Sequence, residues 1–399
     1  QDGTHTPKLF HPRGSDPCIG SGLPDLDFRG LPFGVGKGKK AKAGAGNRLG
    51  KTDYNFEWDP AIYDSHDWAG RNPGQPFFMQ VQLHGGKLRE GADAARAQFR
   101  ERVKRELGAG TDPTKVTLPP YYPRDPVLLQ DWADYLDAVR LTDVHVGRVL
   151  ARLEKEGQLA NTLIVFMTDH GISHARGKQF LYEEGAHVPL VIRGPGVAAG
   201  QLRSDLVEQI DLAAFSLAAA GLGVPSWMQG KDILAPNYAQ RGEAFSARDR
   251  CDETTEKIRS LRTDKFIYVR NYHPERPHLQ PCAYKDGKAI VQRLRELHAA
   301  GQLSDLSEKL LFSPTRPREE LYELASDRWQ VRNLAEDPAY AAVLAEHRQR
   351  LDAKLIATKD PAPESVAMYD SDMKVYVAKG NPEVERNIAQ MKRWAAEGK

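Results

Sequence analysis

Apolar residues change their spacing several times along this chain, and each change predicts an element. Between Pro126 and Gly157 they fall at Leu128, Trp132, Tyr135, Val139, Thr142, Val146, Leu150 and Leu153. Steps of three and four place them on one stripe, which predicts a long helix facing a core. Asp134, Asp137 and Asp143 fall mostly off that stripe and are expected in solvent. A turn at 159–162 leads to Leu163-Ile164-Val165-Phe166-Met167, short and β-branched enough to read as a buried strand. Val188 to Ile192 reads as a second buried strand, and Pro76 to Leu83 as an earlier one. Ala92 to Leu107 has the charge spacing of an exposed helix. Lys257 to Tyr272 alternates, and predicts two strands turning at Thr263-Asp264. Glu320 to Asp327 predicts a late strand, followed by a charged helix from Pro338 to Thr358. An Ala-rich helix precedes Gly221, and a loop and a last helix are expected after Pro361.

A helix running by a short loop into a buried strand is half of a parallel-sheet unit. The fold class is therefore α/β, a mixed and mostly parallel sheet between helices, followed by a small C-terminal antiparallel sheet with a helix. Three regions are expected: an irregular basic Gly/Pro-rich arm over 1–50, an α/β core over 51–240, and a smaller α+β part over 241–399.

Composition narrows the function classes. At 399 residues, with a hydrophobic fraction of 40% and a net charge of +2, the chain is an ordinary globular one without a global argument for nucleic acid. No run approaches the roughly 18 apolar residues of a membrane span. Cys18, Cys251 and Cys282 lack metal-ligand spacing, and at most one pair can bridge. The stretch Gly36-Lys37-Gly38-Lys39 has no preceding strand and does not fit a P-loop. The first residue is Gln1, with no charged and apolar leader after it, so a leader has been removed or the chain is a piece of something longer. The oligomeric state is left open.

The chemistry gathers at the end of the strand 163–167. There Thr168-Asp169-His170-Gly171 puts an acid and an imidazole at a strand end, where open α/β sheets bind ligands. The loop continues through His174, Arg176 and Lys178, so it offers a metal ligand, a proton carrier and anion contacts. Further on, Arg248 and Arg250 stand at a strand end with Asp252 and Glu253. The arginine fork suits a sulfate or carboxylate, and it equally suits structural pairing with neighbouring acids.

Thr168-Asp169-His170-Gly171, Gly177-Lys178 through Tyr182-Glu183-Glu184-Gly185, and Val188-Pro189-Leu190 together resemble the sulfatase family of the alkaline-phosphatase-like superfamily. Glu320-Leu321-Tyr322-Glu323-Leu324 to Asn333-Leu334-Ala335 is similar to the same family, and the arginines near 248 resemble its heparan N-sulfatase-like members. The resemblance covers roughly Lys51 to Thr358. It implies hydrolysis of a sulfate ester or sulfamate on a sulfated carbohydrate, as in glycosaminoglycan degradation. It implies one divalent cation, usually calcium, bound by Asp169 and His170, with Lys178 on the sulfate and His84 assisting at the leaving group. His174, Arg248 and Arg250 become substrate contacts. A periplasmic, secreted or lysosomal-type compartment is implied as well.

The resemblance fails at the nucleophile. The family converts the cysteine of a Cys-x-Pro-Ser-Arg-like motif to formylglycine, whereas Cys18 sits in Pro17-Cys18-Ile19-Gly20-Ser21. No nucleophile is assigned, and the chain as given is expected to be inactive. The alternatives are a sulfatase-like glycan-binding protein without turnover, or a phosphoryl-transfer enzyme of the same superfamily.

Overall fold

The computed structural model describes residues 18–21, 67–371, 373–378 and 380–399. Most of the region expected as a basic arm, and the aromatic loop after it, lie outside them. The chain forms two compact units, one of residues 1–110 with 134–159 and one of 111–133 with 160–399.

In the first unit β1 (Cys18–Ser21) pairs in parallel with β2 (Phe77–Gln80). Among the described residues this is the one parallel ladder. Trp68 is buried beside it, stacked on Phe77 at 5.9 Å, and its indole N–H donates to Glu156 at 2.6 Å. Helix α1 (Asp93–Leu107) meets α2 (Pro126–Lys155) through Phe99, Val103, Ala138 and Leu141.

The buried line of α2 differs from the apolar stripe. Val139 is 47% exposed, whereas Asp134 and Asp137, expected in solvent, are buried at 2% and 4%. The reason is arginine. Arg100 grips Asp134 through Nε at 3.0 Å and Nη2 at 2.7 Å, and Arg140 donates to Asp137 at 2.8 Å. A forked donor offsets the desolvation of a carboxylate that apolar spacing alone assigns to water.

In the second unit β3 (Ile164–Met167) pairs antiparallel with β4 (Leu190–Arg193), Met167 opposite Leu190. Neither strand is the fully buried one expected, since β3 is half-buried throughout and β4 alternates between half-buried and exposed residues. Antiparallel pairing brings the end of β3 to the start of β4. The connection 168–189 therefore leaves and returns at one edge.

A second sheet runs β5 (Ala244–Cys251), β6 (Thr254–Arg262), β7 (Phe266–Asn271) and β8 (Glu319–Glu323), all antiparallel in that order. Its alternation sorts side chains to two faces. Leu261, Tyr268 and Leu321 pack with Leu344 and Leu351 of the helix Ala341–Thr358. Ile258, Ile267, Val269 and Tyr322 pack instead with Phe180, Leu181 and Tyr182. The small C-terminal sheet is thus covered by a helix on one side and by the 168–189 connection on the other.

Candidate active site

Three glycines fold the 168–189 connection onto itself. Gly171 N donates to Gly185 O at 3.0 Å, and Lys178 N donates to Ile172 O at 2.6 Å. A Cβ on Gly171 would meet Glu184 O at 1.9 Å, and one on Gly177 would meet Ile172 O at 1.8 Å. No side chain fits between backbones so close, so glycine is required here for space rather than for a special dihedral.

The folded loop is then bolted to the antiparallel sheet. Tyr182 donates to Glu320 at 2.8 Å, and Arg262 donates to Glu183 at 2.7 Å. Burial alone would raise the Glu183 carboxyl, but bonds from His187 and Arg262 outweigh it and bring it to about 2. Arg176, one of the loop's sequence-level anion contacts, is fully buried. Its guanidinium lies 3.9 Å from the Tyr182 ring centroid and donates to Gln330 O at 2.9 Å. Tyr121 donates to Glu184 at 2.6 Å, and burial raises the Glu184 carboxyl.

Asp169 and His170 stand at the end of β3. Gln209 holds this strand end by donating to Thr168 O at 3.0 Å and Asp169 O at 2.9 Å. His170 Nδ1 lies 2.7 Å from Gly171 O, which accepts its proton and leaves Nε2 as an acceptor. That Nε2 lies 3.5 Å from Asp169 Oδ2, another acceptor. Two lone-pair atoms facing each other suit a shared cation.

Lys178 projects from the same loop, its Nζ 4.9 Å from the Tyr284 ring centroid. The next residue, Gln179, takes a left-handed backbone with φ of 84°, uncommon outside glycine. Beside it lies Lys285, fully buried, whose Nζ donates to the carbonyls of His174 and Ala175. Burial, and then the charge of Arg248, lower the Lys285 ammonium to about 7.

The remaining sequence-level candidates fall in different surroundings. His174 is wholly buried, its Nε2 2.7 Å from Asp131 Oδ2 and its ring 4.9 Å from that of Trp132. Arg248 is buried over the Phe180 ring at 5.0 Å, and its Nε and Nη1 have no acceptor among the described residues. Burial lowers its guanidinium pKa. Arg250 is half-buried, with Nε 3.4 Å from Glu364 Oε1. His84 belongs to the other unit, where burial and then Lys87 lower its imidazole. Asp169, His170, His174, Lys178, Arg248 and Arg250 all belong to the second unit. Tyr284, Lys285 and Gln330 are neighbours that no sequence motif announces. Among the described residues no helix is long and apolar enough to cross a membrane.

The Sulfatase family model matches residues 38–222. An ulvan-active sulfatase of Formosa agariphila is 30% identical over 376 residues, covering 83% of this chain and 63% of that protein. The human N-sulphoglucosamine sulphohydrolase is 27% identical over 320 residues, covering 73% of this chain and 63% of that protein. The chain therefore spans less than two thirds of the length of these relatives. A sulfatase-like protein of Bacteroides fragilis, yidJ, superposes with a TM-score of 0.51 at 17% identity over 72% of this chain and 56% of that one, a likeness of fold.

Proposed function

From the match of residues 38–222 to the Sulfatase family and the likeness to its members, we propose that this chain is built to bind and hydrolyse sulfate groups on a sulfated carbohydrate. The observation that carries the reading is the single folded loop holding Asp169 and His170 at one strand end and Lys178 on its return. Relatives named for ulvan and for N-sulphoglucosamine support a sulfated sugar as the substrate class.

Asp169 and His170 would hold a divalent cation, calcium by resemblance. The two facing acceptor atoms 3.5 Å apart fit such an ion. When bound, it supplies positive charge against the sulfate oxygens. Lys178 adds a second positive charge, held in reach by the Lys178 N to Ile172 O bond. Arg248 and Arg250 are assigned to the sugar or its anionic substituents. Arg248 has two nitrogens, Nε and Nη1, without acceptors on a buried guanidinium, which ligand oxygens would satisfy. His174, wholly buried against Asp131, is assigned to positioning the loop rather than to touching sugar. His84, in the other unit, is assigned to the leaving group by resemblance alone, since burial and Lys87 lower its imidazole and favour the neutral ring. A periplasmic, secreted or lysosomal-type location accompanies this reading.

A second reading has an observation of its own. No Cys-x-Pro-Ser-Arg sequence occurs in these 399 residues, so we name no nucleophile, and binding without turnover fits the residues present. The test is to measure, with calcium present, both the binding of N-sulfated and O-sulfated glucosamine and the release of free sulfate. Binding that weakens at least about tenfold in Lys178→Ala supports the site. Sulfate release above background then makes this chain a hydrolase, and its absence leaves a sulfate-glycan binder. Binding unaffected by Lys178→Ala would refute the assignment.

A further inference from the structure

Beside the turn between β5 and β6 lies a pair of thiols that the proposed function does not use. Cys251 ends β5, and Cys282 precedes the short helix Ala283–Asp286. Their sulfurs and a carboxylate oxygen of Asp252 lie within 4.8 Å of one another. Two hydrogen bonds flank the pair and register the two segments. Thr254 Oγ1 donates to Pro281 O at 2.6 Å, and Ala283 N donates to Glu253 Oε1 at 2.7 Å. Gln179 Nε2 faces both sulfurs, at 2.7 Å from Cys251 and 3.5 Å from Cys282.

Charge decides what the pair is suited to. Two sulfurs and a carboxylate could attract a soft divalent metal. Yet Arg248 and Lys285, both buried, act on the same sulfurs, and their positive charge opposes a cation there. It favours thiolate, the form that attacks disulfides. The mutual hydrogen bond lowers the Cys282 thiol to about 7 and raises that of Cys251.

We propose that Cys251 and Cys282 are a modification site, joined by a disulfide that clamps the β5–β6 turn to the 281–283 segment and lies against Gln179, the neighbour of Lys178. The oxidant is a small-molecule or protein disulfide, R–S–S–R. The Cys282 thiolate attacks it, forming Cys282–S–S–R and releasing one thiolate. The Cys251 thiol then gives its proton to that thiolate and attacks Cys282 Sγ, releasing the second. The two cysteine thiols give up two protons and two electrons, and the oxidant becomes two R–SH. This crosslink does not rest on the sulfatase reading.

The test uses the full chain exported to an oxidising compartment and alkylated under denaturing conditions without reductant. A Cys251–Cys282 linked peptide, two hydrogens lighter than the separate pair, is expected. Dithiothreitol should lower the melting midpoint by about 5 °C, since closing a loop of this size restricts the unfolded chain. The midpoint of Cys282→Ser should not respond to it. Alkyl groups on both residues before reduction would overturn the proposal. So would a linked peptide joining Cys18 to either residue, or about one zinc per chain retained through purification.

Discussion

Glu183 shows how one residue can be framework inside a functional motif. It lies in the Tyr-Glu-Glu-Gly run that carries the resemblance, yet its carboxylate binds Arg262 on β6 and His187 on its own turn. Its carboxyl titrates at about 2, below the ordinary 4.5. A depressed acid contributes stability that is present above its unfolded value and lost as pH falls through its folded one. The gap in melting midpoint between the parent and Glu183→Gln should therefore be full above about pH 5 and close progressively between 4.5 and 2. Midpoints at pH 7, 5 and 3 check this, and a gap unchanged down to pH 3 would remove Glu183 from the framework. His174 teaches the converse. Its loop position invites a contact role, but its ring has zero exposure and lies on Asp131 at 2.7 Å, which favours the positioning role proposed for it. A sequence cannot separate the two, because Asp131 lies 43 residues away.

At the scale of elements, legibility follows locality. The run 163–167 announces β3, and the alternation from 257 to 272 announces β6 and β7 with their turn, because a strand's pattern is written in consecutive residues. Asp134 of α2 misleads because its arginine partner sits elsewhere, Arg100 being 34 residues away, whereas the partner of Asp137 is Arg140 on the same helix. Tyr284 and Lys285 lie in a stretch without a motif, and Lys285 reaches His174 across 111 residues. The glycines of the site loop are visible as residues, but their reason is not. Gly177 is needed because Ile172 O would lie 1.8 Å from a Cβ there. Exposed Gly147 inside α2 has nothing within 4 Å of the same position. Gly177→Ala should cost about 3 kcal/mol or more, as a backbone clash must be relieved by unmaking the loop. Gly147→Ala should stabilise by about 0.5–1 kcal/mol through helix propensity. Urea unfolding of both variants checks the contrast, and a well-tolerated Gly177→Ala would mean that the loop is not closed as described.

For the molecule as a whole, the division into two units turns the metal assignment into a thermodynamic question. Asp169 and His170 belong to one unit, and the buried Asp134 pair belongs to the other. A cation that binds only the folded form stabilises it by RT ln(1 + [L]/Kd), about 2.7 kcal/mol at a hundredfold excess over Kd. Calcium should therefore raise the melting midpoint, and a chelator should reverse the rise. Asp169→Asn should abolish the response with little change in the calcium-free midpoint, because that carboxylate is exposed and its main bond is to the next backbone N–H, at 3.0 Å. Asp134→Asn should do the opposite. It weakens a pair whose acid is 3% exposed and whose arginine is 41% exposed, a loss of about 1–2 kcal/mol, while the calcium response persists. Calorimetric scans of the three proteins with calcium and with chelator separate metal binding from general fragility. A response that survives in Asp169→Asn and is lost in Asp134→Asn would place the cation in the other unit and overturn the assignment of Asp169 and His170.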